Sequence, residues 1–153
     1  IESVVLNPDD FSRNNMSLGS HYAGRAINIA KTTAAHAFSY PLTKLFGIPH
    51  GHAVSLSIGQ FYNYNSQTPD YESHKVLMTE LNNLIKVKNG YGAEKKLQTL
   101  MERIGLFSKL PGKILFDDNV SKVIENINLE RLNNNPVKVK KSDLVNIFKS
   151  ICS

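Results

Sequence analysis

The chain has 153 residues, 41% of them hydrophobic and 20% charged, enough for one ordinary domain with its own core and outside the disordered range. The net charge is +5, and basic residues form short clusters, Lys86/Lys88, Lys95/Lys96 and Lys138/Lys140/Lys141, which lack interleaved aromatics and read as solvated helix surface rather than a nucleic-acid site. No apolar run can span a bilayer, the opening IESVVLNPDDF has no signal-peptide regions, and the single cysteine, Cys152, excludes an internal disulfide and fits a reducing compartment, the cytoplasm.

Asn7-Pro8-Asp9-Asp10 resembles a helix start, with a capping residue, Pro at the first helical position and acids in the first turn. That helix is expected to run to about Lys31, with Ala23, Gly24, Ala26 and Ala30 as a small-residue face. Thr32 or Thr33 can cap a second helix through His36, which Pro41 should kink or end. A third helix begins near Pro49 and carries Ala53, Val54, Leu56, Ile58, Phe61 and Tyr62. Asn63 to Pro69 reads as a polar connection. From Tyr71 to about Val87, Val76, Leu77, Leu81, Leu84 and Ile85 recur at helical spacing, and Asn89-Gly90 reads as the stop. Ala93 to Ile104 is amphipathic and ends at Gly105; Leu106 to Phe116 reads as a loop, and Asp118 to Ile127 as a short helix. Asn133 to Pro136 is a turn, and Ser142 is the expected cap of a last helix reaching Ile151. Sustained period-two alternation, hairpin turns, internal repeats and long linkers are absent from the sequence. The expectation is one all-α, multi-helix domain over 1–153. The missing initiator Met suggests a processed product or a piece of a longer polypeptide. Cys152, two residues from the end, reads as a free, inert thiol.

The chemistry concentrates in AINIAKTTAAHAFSYPLTKLFGIPHGHAVSL, Ala26 to Leu56. His36 and His50 stand fourteen residues apart on consecutive helices, with Gly47, Pro49 and Gly51 supplying the turn between them. Two imidazoles fixed in this way can converge on one ion, but two neutral ligands make only half a site. His50 opens a helix, where the macrodipole disfavours a cation, and no carboxylate occurs between Asp10 and Asp70. A further, acidic ligand must therefore come from elsewhere. His36 and Tyr40 are four apart and share a helix face. The competing interpretation is that these histidines, like His21 and His52, are hydrogen-bonded structural residues; His74, beside Glu72 and Lys75, is expected at the surface.

The stretch GRAINIAKTTAAHAFSYPLTKLFGIPHGHAVSL resembles the second signature of the iron-containing (group III) alcohol dehydrogenases, a His followed after fourteen residues by a His-Gly pair entering the next helix. Strong resemblance covers about Leu18 to Tyr62; the tail NNNPVKVKKSDLVNIFKSI resembles the family's closing turn and helix more loosely. KTTAAHAFSY with FGIPHGHAV is most similar to members acting on phosphonoacetaldehyde or on the terminal hydroxymethyl of an eight-carbon sugar acid. The resemblance implies the C-terminal, metal-binding helical domain of the dehydroquinate synthase-like fold, with His36 and His50 as ligands of Fe²⁺ or Zn²⁺ and NAD or NADP as the cofactor of the full-length enzyme. It implies as a partner a missing N-terminal nucleotide-binding domain, which carries the Asp and His that complete the metal site, and a small alcohol or aldehyde substrate, anionic ones included. The parent would be a homo-oligomer, and this chain alone inactive.

Many members have a further His four residues after the first ligand, where this chain has Tyr40. Tyr40 and His52 are the two candidates for catalytic proton transfer, and His52 could equally support the site. Two rival classes are a non-catalytic helical interaction domain with structural histidines and a basic nucleic-acid binder, and neither accounts for the long signature.

Overall fold

The computed structural model describes residues 1–67, 72–112, 114 and 116–152. Among these the chain is helical without strands: α1 (Glu2–Leu6), α2 (Asp10–Ile29), α3 (Ala34–Phe46), α4 (His50–Gln67), α5 (Glu72–Leu84), α6 (Gly90–Arg103), α7 (Phe116–Glu125), α8 (Leu129–Leu132) and α9 (Lys141–Cys152). The all-α expectation is met.

The core lies where α3 packs on α4, α7 and α8, and where α9 closes over α4 and α7. Phe38 is fully buried at its centre, with ring centres 5.9 Å from Phe61 and 6.3 Å from Phe148. Ala34, Ala35 and Ala37 are buried beside it, and their short side chains let neighbouring helices approach α3 closely. α4 and α6 approach closely for a similar reason: Gly90, Ala93 and Gly59 stand at their contact. Leu110 N–H donates to the Ile151 carbonyl at 2.6 Å and ties the loop after α6 to the last helix.

Several local expectations are corrected. Asn7 ends α1 rather than starting α2; the cap of α2 is Asp9, whose carboxylate accepts from Ser12 N–H at 2.7 Å while Ser12 Oγ accepts from Asp9 N–H at 3.0 Å. That bonding to Ser12 holds the Asp9 carboxyl below its ordinary pKa. α3 continues through Pro41 to Phe46 instead of ending there: Pro41 is packed in the core, and burial of the surrounding residues outweighs one missing backbone donor. Its real stop is Gly47, left-handed at φ 68°, whose N–H donates to the Thr43 carbonyl at 3.0 Å. α4 runs on to Gln67 through residues expected to be a polar connection, because Asn63, Tyr64 and Asn65 bond to Glu94, Asp143 and Asn135 on other elements. The rest of that expected connection, and Tyr71 at the expected start of the next helix, lie outside the described residues. Asn89 starts α6 rather than ending α5, its side chain accepting from Gly92 N–H at 2.9 Å. Ser142 lies inside α9; the Asp143 carboxylate, not Ser142, accepts from a backbone N–H at the helix entrance, that of Lys140 at 2.8 Å. His74 is buried, not at the surface, because its Nε2–H donates to the Asn65 carbonyl at 2.7 Å and pins α5 to α4.

Burial pushes the Cys152 thiol up to about 11, so it stays protonated at neutral pH, as an inert thiol should.

α2 differs from the other long helices. Ser12 is its one buried residue, and α1 is the element it packs against most. Phe11, Leu18, Tyr22 and Ile29 follow one stripe at helical spacing, and all four are exposed, Ile29 by 90%. Apolar stripes of this kind are typical of helix faces that pack against another surface.

Two glycine substitutions separate tight packing from open helix. At Gly90 a Cβ would sit 2.8 Å from the Asn63 Cα, so Gly90→Ala should destabilise by about 1–3 kcal/mol. At Gly19, inside α2 with nothing within 4 Å, Gly19→Ala should stabilise by about 0.5–1 kcal/mol. Urea unfolding of both variants checks the signs; destabilisation by Gly19→Ala would show that α2 is contacted on that side.

Candidate metal centre

The three residues after α3, Gly47-Ile48-Pro49, carry the chain back along α3 rather than simply away from its end. Gly47 supplies the reversal, Ile48 buries its side chain, and the Pro49 carbonyl accepts the first bond of α4 from Ala53 N–H at 2.9 Å. In consequence His50 meets not the last turn of α3 but its middle, about two turns back. Its ring lies 5.4 Å from the His36 ring, edge-on at 63°, and 5.6 Å from the Tyr40 ring. The structure therefore brings together three residues singled out in the sequence: His36, Tyr40 and His50.

Ser39 stands between the two histidines, fully buried. Its hydroxyl donates to the His36 carbonyl at 2.8 Å, and its oxygen lies 3.3 Å from His50 Nδ1. A hydroxyl has one proton. With that proton on the carbonyl, Ser39 Oγ can only accept from His50, so Nδ1 carries the ring hydrogen and Nε2 presents a lone pair. A ring so oriented through its other nitrogen is ready to bind a metal.

His36 is half-buried, and its pKa is depressed below the ordinary 6.5, first by burial, then by the adjacent His50 and the Arg131 guanidinium. Neutral imidazole, the form a metal requires, is thereby favoured. With metal–nitrogen bonds of about 2.1 Å, two imidazoles on one tetrahedral ion have ring centres roughly 5 Å apart, which the 5.4 Å separation fits. Both donors are nitrogen, suited to Fe²⁺ or Zn²⁺. Among the described residues no group of three or more His, Cys, Asp or Glu is placed to hold a metal, so an ion held by His36 and His50 would need further donors.

His52 is placed differently. Two residues beyond His50, it points to another face of α4, is buried, donates from Nε2–H to the Phe107 carbonyl at 2.8 Å, and packs its ring 3.9 Å from that of Phe107. It links α4 to the loop after α6.

Two neighbours of the centre, Ser39 and Arg131, carry no mark in the sequence. Arg131, on the single turn α8, places its guanidinium carbon 5.3 Å from the Tyr40 ring centre and donates to Thr32 Oγ1 at 2.7 Å. Asn134 Nδ2 donates to the Thr32 carbonyl at 3.1 Å, so α8 and the α2–α3 junction are held together at two points. Nothing in the pattern around Arg131 marks it, and it lies two residues before the tail, Asn133 to Ile151, that resembles the family's closing segment.

Comparison with known proteins bears on the family and the fold. A model of the "Fe-containing alcohol dehydrogenase family, C-terminal" matches residues 1–152. A phosphonoacetaldehyde reductase from Streptomyces viridochromogenes is 42% identical over 62 residues, which are 40% of this chain and 16% of that protein. A crystal structure of a sulfoacetaldehyde reductase from Bifidobacterium kashiwanohense in complex with NAD⁺ superposes with a TM-score of 0.69 at 29% identity, over 80% of this chain and 31% of that one. The chain thus spans less than a third of the length of either relative.

The depressed pKa of His36 has a measurable consequence. In the unfolded chain this imidazole takes a proton near its ordinary 6.5, and in the folded chain only at lower pH. Stability linked to His36 is therefore complete above that ordinary value and is lost as pH falls through the folded pKa. NMR titration of the metal-free chain should show His36 titrating below 6.5, and His50→Gln or Arg131→Gln should raise it. A wild-type value at or above 6.5 would remove the case for a pre-neutralised ligand.

Proposed function

The chain belongs to the Fe-containing alcohol dehydrogenase family as its C-terminal, all-helical part, and we propose that it supplies two metal ligands and one wall of the substrate site in an NAD(P)-dependent alcohol dehydrogenase or aldehyde reductase. The paired rings of His36 and His50, with Ser39 holding the second, carry this reading. The reactions named for the two relatives, reduction of small anionic aldehydes, support the same reaction class.

The division of labour follows from the chemistry of the residues. His36 and His50 would hold the ion, with Ser39 Oγ accepting from His50 Nδ1–H to fix the ring and its tautomer. Bound there, Fe²⁺ or Zn²⁺ supplies Lewis-acid polarisation of the carbonyl or alcohol oxygen, and NAD(P) supplies or receives the hydride. Tyr40, 5.6 Å from the His50 ring and partly exposed, borders the space where the reacting carbon would sit. Its phenol can donate a hydrogen bond to the substrate oxygen and pass a proton during reduction, although a phenol is in general a slower shuttle than imidazole near neutral pH. His52, committed to the Phe107 carbonyl, fits structural support better than proton transfer.

The other ligands and the nucleotide site belong, in this proposal, to an N-terminal domain. The exposed stripe of α2 is the surface that would dock with it. The chain over 1–153 is then one domain of a longer, cytoplasmic, homo-oligomeric enzyme and has no dehydrogenase activity alone.

Substitutions in the full-length enzyme test the reading. His36→Ala and His50→Ala should each remove a ligand, so metal content and turnover fall together while the fold survives on its apolar packing. Ser39→Ala should weaken metal binding about 10–100-fold with the ligands unchanged. Tyr40→Phe should keep the metal and lower turnover by roughly 10–10⁴-fold. Full metal content and near-normal turnover in both histidine variants would overturn the proposal; normal turnover in Tyr40→Phe would overturn only the phenol's role.

A further inference from the structure

Arg131 is a cation placed with unusual care and, among the described residues, without a carboxylate partner. Its backbone N–H is capped by the Asn128 side chain at 2.9 Å, the next residue, Leu132, is buried in the core, and its guanidinium is fixed by Thr32 Oγ1 at 2.7 Å over the Tyr40 ring. Among the described residues the ion pairs are Lys75–Glu72 and Arg103–Glu2, so the Arg131 charge faces no acidic side chain there. The guanidinium offers five N–H donors, and the bond to Thr32 uses one. Holding a half-buried cation with no acidic side chain beside it is unfavourable unless a negative group joins it.

The position defines what that group must be. Tyr40 is in ring contact with His50 and under the Arg131 guanidinium. With the His50 ring centre 5.6 Å and the guanidinium carbon 5.3 Å from the same Tyr40 ring centre, a ligand with its carbonyl at the paired histidines and a negative end at Arg131 has to be short. A short-chain aldehyde bearing a phosphonate or sulfonate meets that requirement. Such tetrahedral oxyanions accept the parallel N–H pairs of a guanidinium, which a lysine ammonium cannot match.

The geometry points to Arg131 as the residue that binds the anionic head of the substrate and selects charged over neutral aldehydes, with Tyr40 as the platform that holds its guanidinium in place. This rests on the dehydrogenase reading above and adds the substrate class to it. It does not depend on which metal is bound. Phosphonate and sulfonate share the chemistry, and the two are separated in the measurement.

The experiment uses the full-length enzyme and its Arg131→Gln and Arg131→Lys variants. kcat/KM is measured for phosphonoacetaldehyde, sulfoacetaldehyde and uncharged propionaldehyde, with metal content, Tm and KM for NAD(P)H alongside. Methylphosphonate is tested as an inhibitor of propionaldehyde reduction. The wild type should prefer at least one anionic aldehyde, and that partner identifies the head group. In Arg131→Gln the ratio of kcat/KM for that aldehyde to kcat/KM for propionaldehyde should fall about 10–100-fold, mainly through KM. Methylphosphonate inhibition should weaken in parallel. Arg131→Lys should recover part of the ratio; if the Gln variant does not fold, the smaller fall in the Lys variant carries the test.

An equal loss on all three aldehydes would make Arg131 a support for Tyr40 and overturn the assignment, as would an unchanged ratio or an effect confined to KM for NAD(P)H. A wild type that prefers propionaldehyde would also overturn it while leaving the dehydrogenase reading intact. A parent that reduces none of the three would overturn both.

Discussion

The closeness of α4 to the middle of α3 governs the rest of the molecule. Ala34, Ala35 and Ala37 give α3 a face without bulk, Phe38 fills the space beyond it, and Gly47 takes the left-handed conformation that turns the chain back. If α4 left α3 as a simple hairpin, His50 would lie beside Thr43 or Phe46, far from His36. The buried Ser39 hydroxyl then converts this packing into chemistry: one oxygen touches the backbone of one histidine and the ring of the other. Side chains with no polar atom, arranged for close approach, thus determine where two polar rings meet.

That junction is supported from a distance. α8 is a single turn, too short to be stable alone. It is ordered because Leu132 is buried, Asn128 caps it and Arg131 and Asn134 reach across to Thr32. These bonds span about a hundred residues of sequence, and they hold the entrance of α3 as well as α8. Phe116 and Phe148, with ring centres 5.7 Å apart, extend the aromatic core from Phe38 through α9 to α7. The histidines thus stand at the edge of this core, on the buried Ser39 and Phe38, with His50 and Tyr40 themselves exposed.

The helical architecture was legible because apolar residues recur at helical spacing in the segments that became α3 to α7 and α9. The histidine pair was legible from its spacing, its intervening glycines and a family signature that the comparison with known proteins supports. What failed was local punctuation. Asn-Gly at 89–90 has the composition of a stop and acts as a start, because the Asn89 side chain caps α6 and Gly90 must lie against α4. Pro41 reads as a breaker, yet the core around Phe38 carries the helix through it. His74 is flanked by charged residues and still buried, since its partner, the Asn65 carbonyl, lies on another helix. Arg131 was invisible for the same reason: its neighbours Tyr40 and Thr32 are far away in the chain, and single-sequence patterns register only near ones. α1, five residues long, was also missed.

α2 raises a question of time rather than place. Nineteen of its twenty residues have no buried side chain, so little more than the Asp9–Ser12 box and the neighbouring α1 oppose its fraying. Its amide hydrogens should therefore exchange with solvent deuterium through local opening, within the first moments of labelling, while those of α3 wait for global unfolding. The junction at Thr32 is then a boundary between two cooperative units. One is a slow-opening body that carries the histidines. The other is a quickly opening arm whose exchange would slow if the proposed N-terminal domain docks on it, so that deuterium uptake at α2 would report docking without any catalytic turnover.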